Sequence, residues 1–279
     1  MGKYLFYDID GTLVGKSKKV TEKNREAIRK ARANGHKAFL CTGRAPVSLM
    51  KDILDVGFDG IICSAGGYVI IDDKYIFENF INQYLLSEVI TMFINNHILF
   101  MLESKDAIYE TPGVMEFYEK RARNLDENNH ELMRNILLRR QGENRLPIKD
   151  FNILETGITK VVFISPDKEN FKRVEPFLKE FFNIVYFSKE DDWYINGEII
   201  IKCCTKADGI LKVINHFNGQ MEDTIGFGDS MNDYEMIKEV RTGVVYKDAQ
   251  DELKKEASYF FDDPDEDGIY KVMEELKLI

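Results

Sequence analysis

No apolar run in this chain approaches the roughly 20 residues that a membrane-spanning helix needs, which excludes a helical membrane protein. Positive charge is also scarce: 38 Lys and Arg stand against 48 Asp and Glu, a formal charge of −10. That balance argues against a nucleic-acid partner, which would need a basic patch to replace phosphate counterions. It leaves room for a phosphate pocket, because one Lys, one Arg and a metal can reverse the field locally. Cysteines number only four, Cys41, Cys63, Cys203 and Cys204, all in apolar strand-like runs and without Cys-x-x-Cys spacing. They read as small buried thiols of a reducing compartment rather than a disulfide framework. The histidines His36, His97, His130 and His216 are scattered, without the rhythm of zinc ligands. No charged-then-apolar leader precedes the first strand, and Phe6 stands where a myristoylation motif wants Ser or Thr. The expectation is a soluble, cytoplasmic protein with no membrane partner, its oligomeric state open.

What is present is an ordinary globular composition, 44% apolar and 31% charged, in 279 residues. That length is large for one core and suits two unequal domains. The first eighty residues alternate strand and helix. Lys3–Tyr7, Lys37–Cys41 and Ile61–Cys63 read as buried strands. Thr21 is placed to cap a helix with Ala27, Ile28 and Ala31 on one face, ending at Gly35. Pro46 is placed to open another, with Met50, Ile53 and Leu54 as its stripe. Tyr68–Ile71 and Tyr75–Phe77 flank Asp72-Asp73-Lys74 as a hairpin. The last ninety residues resume the rhythm, with strands at Thr224–Phe227, Thr242–Tyr246 and Ser258–Phe261 between helices. Such units build an α/β fold, a doubly wound parallel sheet covered on both faces. The middle differs, with helices at its ends, strands at Ile98–Glu103, Thr159–Ile164 and Ile184–Phe187, and a polar span from Arg121 to Arg145. It reads as an inserted α+β domain over 83–189, flanked by a core of 1–82 and 190–279.

Three segments carry chemistry. In Phe6-Tyr7-Asp8-Ile9-Asp10-Gly11-Thr12-Leu13 two acids follow an apolar strand, and residues two apart on a strand share a face. Asp8 and Asp10 can then look into one crevice at the strand's carboxyl end, where open α/β sheets place ligands. One carboxylate there can attack phosphorus while the other lends a proton to the departing oxygen. Read alone, the same octapeptide also fits a helix N-cap or a solvated turn. In Phe39-Leu40-Cys41-Thr42-Gly43-Arg44 a strand ends in a hydroxyl, a glycine and a cation. Thr42 can hydrogen-bond a phosphoryl oxygen, Gly43 lets backbone N–H groups approach it, and Arg44 can fork onto it. In Ile225-Gly226-Phe227-Gly228-Asp229-Ser230-Met231-Asn232-Asp233 acids again cluster after a strand, hard oxygen donors of the kind Mg²⁺ prefers. Met231 stands where a dinucleotide fingerprint would need its third glycine.

Together these segments resemble the haloacid dehalogenase-like superfamily, in its order and spacing, through Asp8-Ile9-Asp10-Gly11-Thr12 and Gly228-Asp229-Ser230-Met231-Asn232-Asp233. The resemblance implies a Rossmann-like core, Asp8 as nucleophile, and Asp10 as general acid and then base with its carbonyl on the metal. It implies Asp229 as a further Mg²⁺ ligand, Asn232 and Asp233 orienting the metal shell and a lysine, and Thr42 holding the transferring phosphoryl group. The family's lysine matches Lys206, after the strand Glu198–Cys204 and at the start of a helix. On its own Lys206 reads as an ordinary solvated lysine, and Lys202, inside the strand, is the alternative. Keeping Asp10 separates the chain from the family's membrane ATPases and dehalogenases and points to a phosphatase or a mutase. An insertion between Thr42 and Lys206 resembles the Cof-type, sugar-phosphatase-like hydrolases, whose α/β cap closes over the site. The implied activity is Mg²⁺-dependent hydrolysis of a small phosphorylated metabolite, a sugar phosphate or similar monoester, through an aspartyl phosphate. The alternatives are a phosphomutase and a non-catalytic binding or regulatory protein of the same fold. The chain departs from the Cof pattern at Ala65-Gly66-Gly67 and at Lys247-Asp248-Ala249. Asp263, Asp265, Asp267, Gly268 and Glu274 also fit a calcium-loop pattern, but Ser258–Phe261 reads as a strand where the incoming helix should be. An acidic loop capping the last helix is the expectation there.

Overall fold

Fourteen strands form among the residues that the computed structural model describes, 2–123, 140, 142–202 and 204–279. In chain order they are β1 (Tyr4–Tyr7), β2 (Lys37–Cys41), β3 (Gly60–Cys63), β4 (Tyr68–Ile71), β5 (Lys74–Glu78), β6 (Leu99–Glu103), β7 (Ile108–Glu110), β8 (Arg145–Pro147), β9 (Lys160–Ser165), β10 (Phe182–Tyr186), β11 (Ile195–Ile201), β12 (Thr224–Gly228), β13 (Thr242–Tyr246) and β14 (Tyr259–Phe261). Two compact units share them. One comprises Met1–Arg44, Leu49–Asn79 and Cys203–Ile279, the other Ala45–Ser48 and Phe80–Lys202.

The first unit holds a sheet of order β14-β13-β12-β1-β2-β3-β4-β5. Its strands run parallel from β14 to β3, and β4 and β5 close it antiparallel. Alternate residues of one strand feed opposite faces. Leu5 and Tyr7 join Ala27, Ile28, Ala31, Ile269 and Met273 on one side. Phe6 joins Phe39, Ile62, Ile210, Val213 and Met236 on the other. A strand buried on both faces must be apolar throughout, which is why β1 and β2 show no alternation of polarity.

Local chemistry sets the connections. Thr21 caps the helix Glu22–Ala33, its hydroxyl accepting from the backbone N–H of Asn24 at 3.3 Å. The buried Asn24 amide donates to the carbonyl of Pro264 (2.9 Å) and accepts from the N–H of Tyr270 (3.0 Å). It thereby satisfies a first-turn donor of the helix Gly268–Glu275. Asp72 and Asp73 both take positive φ, 49° and 58°, the requirement of a two-residue hairpin turn. One expectation fails nearby. Residues 46–54 form a 3₁₀ turn (Pro46–Ser48) and a short helix (Lys51–Leu54), because Met50 is extended between them.

The acidic loop before the last helix also departs from expectation. Its carboxylates turn to the 15–21 loop instead of capping the helix. Asp265 accepts from the N–H (2.9 Å) and hydroxyl (2.6 Å) of Ser17, and Asp267 accepts from the Thr21 hydroxyl (2.6 Å). Burial pushes the Asp265 carboxyl up, but the Ser17 donors, with the backbone N–H groups of Lys16 and Gly15, together hold it below its ordinary value. Two of the carboxylates that fit a calcium-loop pattern, Asp265 and Asp267, are engaged by these bonds.

The second unit holds a sheet of order β10-β11-β9-β6-β7-β8. One face carries Phe100, Leu102, Val161 and Phe163 against Val89, Phe93, Phe171 and Leu178 of the helices Gln83–Asn95 and Lys168–Phe181. On the opposite face Lys160 is 5% exposed and bridges Glu103 (3.1 Å) and Glu198 (2.8 Å). Tyr194 is buried edge-on against Phe117, at 5.0 Å, a packing role. Glu198–Ile201, read from sequence as part of the flanking core, lies in β11 and pairs with β9 and β10. Its apolar run is equally compatible with either sheet. Strands β7 and β8, three residues each, carry too little pattern to be read. Most of the polar span from Arg121 to Arg145, together with His130 and Cys203, lies outside the described residues. Cys41, Cys63 and Cys204 are buried. No described helix is long and apolar enough to cross a membrane.

Candidate active site

From β1 the chain proceeds to β2 on one side, while β12, its other neighbour, leads to β13 away from it. Asp8 follows β1 and Asp229 follows β12, so both acids leave the sheet at its topological switch point, where α/β sheets bind ligands. The N–H of Asp8 still donates to Phe227 (3.0 Å), continuing the ladder one step beyond the strand. The chain then folds back tightly, with Leu13 (3.1 Å) and Val14 (2.9 Å) donating to the carbonyl of Ile9.

Gly11 makes that turn possible. Its φ is +92°, and a Cβ there would run into the Asp229 carboxylate. Gly11→Ala should therefore cost about 1–3 kcal/mol in backbone strain alone. It should also displace Asp229, lowering the melting temperature together with any turnover at this site. A variant with unchanged melting and turnover would show that the turn tolerates a side chain.

Lys206 opens the helix Lys206–His216, whose capping box of Thr205 and Asp208 sets the entry angle. Its side chain is 1% exposed, and Nζ donates to Asp8 Oδ1 (2.6 Å) and Asp233 Oδ1 (2.5 Å). The other oxygen of Asp233 accepts from the N–H groups of Asp229 (3.0 Å) and Ser230 (3.2 Å). Gly228 allows the approach, since a Cβ there would lie 2.6 Å from Asp233 Cβ and Cγ. Asp229 Oδ1 accepts from Thr12 at 3.1 Å.

Carboxyl oxygens of Asp8, Asp229 and Asp233 lie within 4.8 Å of one another. Three carboxylates against one ammonium make a site short of positive charge. Burial, with repulsion from Asp233 and Asp229 added, pushes the Asp8 carboxyl well above its ordinary value despite Lys206. Asp229 is pushed up to about 7, by burial first and Asp233 second. Burial alone would lower Lys206, but Asp233 and Asp8 outweigh it and hold the ammonium firmly protonated. Both oxygens of Asp233 are occupied, whereas Asp8 and Asp229 each keep one without a hydrogen bond among the described residues. Hard oxygens with an uncompensated negative charge fit a small divalent cation such as Mg²⁺. Asp8 and Asp229 are the side chains placed to hold it.

Thr42 and Arg44 follow β2, the neighbour of β1. Thr42 is 2% exposed, and its Oγ1 accepts from the N–H of Arg44 (3.1 Å), leaving the hydroxyl proton for another partner. Residues 64–66 all take positive φ and clasp this turn, Ser64 and Ala65 donating to the carbonyls of Arg44 (2.8 Å) and Thr42 (3.0 Å). The departure from the usual Cof pattern at Ala65-Gly66-Gly67 falls on this clasp. Arg44, read from sequence as a phosphate ligand, forks onto Asp10 through Nε and Nη2, both at 2.7 Å. Asn232 is exposed and accepts from the Ser230 hydroxyl at 2.9 Å.

The structure thus gathers Asp8, Lys206, Asp229 and Asp233 into one cluster and sets Asp10 with Arg44. Thr12, which orients Asp229, was assigned no role from sequence; its signal was its place in the Asp-x-Asp-Gly-Thr motif. A family model described as haloacid dehalogenase-like hydrolase matches residues 5–273. Phosphatase YwpJ of Bacillus subtilis is 26% identical, over 98% of this chain and 99% of its own. The 5-amino-6-(5-phospho-D-ribitylamino)uracil phosphatase YwtE of the same organism is 25% identical, over 98% of each. The solved structure of a subclass IIB sugar phosphatase superposes with a TM-score of 0.77 at 23% identity, covering 99% of this chain and all of the other.

Proposed function

The chain belongs to the haloacid dehalogenase-like hydrolases, and from that premise we propose that it is a Mg²⁺-dependent phosphatase of small phosphorylated metabolites. The observation that carries this reading is buried Lys206 bridging Asp8 and Asp233 at the switch point. In the proposed reaction an Asp8 oxygen attacks phosphorus, the ester bond breaks, and Asp10 gives its proton to the leaving alcohol. Lys206 and Thr42 hold the equatorial oxygens as charge spreads over them. Asp10 then takes a proton from water, whose oxygen attacks the aspartyl phosphate, releasing inorganic phosphate and Asp8. The cation held by Asp8 and Asp229, with the Asp10 carbonyl as a further donor, supplies charge neutralisation between two anions. Sugar phosphates or similar monoesters are the proposed substrates, and the second unit is the proposed selector of the alcohol.

The test is phosphate release from a panel of phosphomonoesters with Mg²⁺, alongside Asp8→Asn. Hydrolysis that vanishes in the variant supports the proposal; hydrolysis that persists ends it. Transfer of phosphate to a second sugar would favour a mutase.

Cation binding carries a pH signature. Asp8 and Asp229 have raised carboxyl pKa values, so the folded protein holds these protons more tightly than the unfolded chain. Their contribution to metal-free stability is present below the ordinary carboxylate range and is lost as pH rises, for Asp229 through about 7. Mg²⁺ competes with those protons. The rise in melting temperature on adding Mg²⁺ should be larger at about pH 8 than at about pH 5.5. Equal shifts at both would place the cation elsewhere.

A further inference from the structure

We infer that Arg44 is a positioning residue, fixing the Asp10 carboxylate where it exchanges a proton with the leaving alcohol. The inference rests on the reading of Asp10 as the proton-transfer group. Asp10 lies in the turn after β1, and its side chain is 41% exposed. Nothing about an exposed aspartate in a turn selects one rotamer, yet proton transfer depends on a defined direction. Arg44 supplies the constraint. Its side chain is 8% exposed, and Nε and Nη2 meet Asp10 Oδ2 and Oδ1, each at 2.7 Å. A two-point fork fixes the plane of a carboxylate as well as its place.

The backbone of Arg44 is fixed in turn. Its N–H donates to Thr42 Oγ1 and its carbonyl accepts from Ser64 at 2.8 Å. The fork thus runs from a buried side chain on an anchored turn beyond β2 to a half-exposed carboxylate beyond β1. A surface ion pair has no such asymmetry of burial and contributes little order. The same residue that anchors the acid shares its turn with Thr42, the proposed phosphoryl ligand.

A role exerted through Asp10 has a kinetic mark that phosphate binding lacks. An alkyl phosphate needs its leaving oxygen protonated; p-nitrophenyl phosphate does not. The first irreversible step, read by kcat/KM, should therefore respond to Arg44 only for the poor leaving group. Arg44→Met should lower kcat/KM on an alkyl phosphate by about 10²-fold and on p-nitrophenyl phosphate by less than about 5-fold. Arg44→Lys, with one contact in place of two, should recover part of the loss. Asp10→Asn should show the same selectivity, and adding Arg44→Met to it should cost nothing more.

Equal losses on both substrates, with weaker inhibition by inorganic phosphate, would overturn the inference and make Arg44 a phosphoryl ligand. Selectivity in Arg44→Met without selectivity in Asp10→Asn would overturn it too, and would remove Asp10 from proton transfer. A crystal structure of Arg44→Met gives a readout independent of turnover. Asp10 should then occupy more than one rotamer; a single unchanged rotamer would sink the positioning role even in a protein with no measurable hydrolysis.

Discussion

Asp8→Asn should abolish phosphate release, a loss on the order of 10⁴-fold or more, while leaving the metal-free protein no less stable than the parent. The two halves of that expectation have separate causes. With Asp8 as the proposed nucleophile, an amide oxygen in its place is too weak to attack phosphorus, so turnover ends whatever else survives. Stability follows charge instead. Asp8 is buried beside Asp229 and Asp233, and burial with that repulsion raises its carboxyl well above the ordinary value. The folded state thus disfavours its ionisation, and at pH 8 a neutral isostere relieves that penalty. Asn can still accept from Lys206 Nζ, so the buried ammonium keeps both partners, now at Asn and Asp233. Parallel melting curves without metal at pH 8 check this. A melting point several degrees below the parent would show that Asp8 is a structural acid whose charge the fold requires. Stabilisation by Mg²⁺ should shrink at the same time, since one of the two proposed ligands is gone.

Much of this site was legible because its signals are local. Asp8-Ile9-Asp10-Gly11-Thr12 declares a strand end, a turn and paired acids within five residues, and the structure places Asp8 beside Asp229, from a second motif of the same kind. Capping by Thr21 and the Asp72-Asp73 hairpin were legible for the same reason. Lys206 was different. Its sequence neighbourhood is that of a solvated lysine, and the partners that bury it stand 198 and 27 residues away. Only resemblance to the family singled it out. Arg44 shows another limit. Its place beyond β2 was legible, but the choice between a phosphate and Asp10 is a matter of rotamer and near neighbour, which no pattern encodes. The run ending in β11 failed because hydrophobicity reports burial without saying in which sheet. The acidic loop was expected to cap the last helix, but Asp265 and Asp267 bond Ser17 and Thr21, partners 248 and 246 residues away that no local pattern reports.

Lys206→Met should be as inactive as a catalytic variant and, unlike Asp8→Asn, should melt far below the parent. Among the described residues Nζ is the cation set against the Asp8 and Asp233 carboxylates, and its removal leaves two buried acids facing each other. Breaking a buried charge pair from one side costs about 3–5 kcal/mol, because the remaining charge has neither water nor partner. The loss should depend on pH with a defined sign. Without the ammonium the acids favour their protonated forms in the fold, so the variant should be least stable above neutral pH and recover as pH falls. Adding Asp233→Asn should return most of the stability, since the amide still accepts from the N–H groups of Asp229 and Ser230 without a second charge. It should not return activity, because the group proposed to hold the phosphoryl oxygens stays absent, a loss of about 10²–10³-fold by itself. Denaturation at pH 5.5 and pH 8 for parent, single and double variants separates these effects. A single variant as stable as the parent at pH 8 would mean that Lys206 is dispensable to the fold, and that its burial between two acids serves the reaction alone.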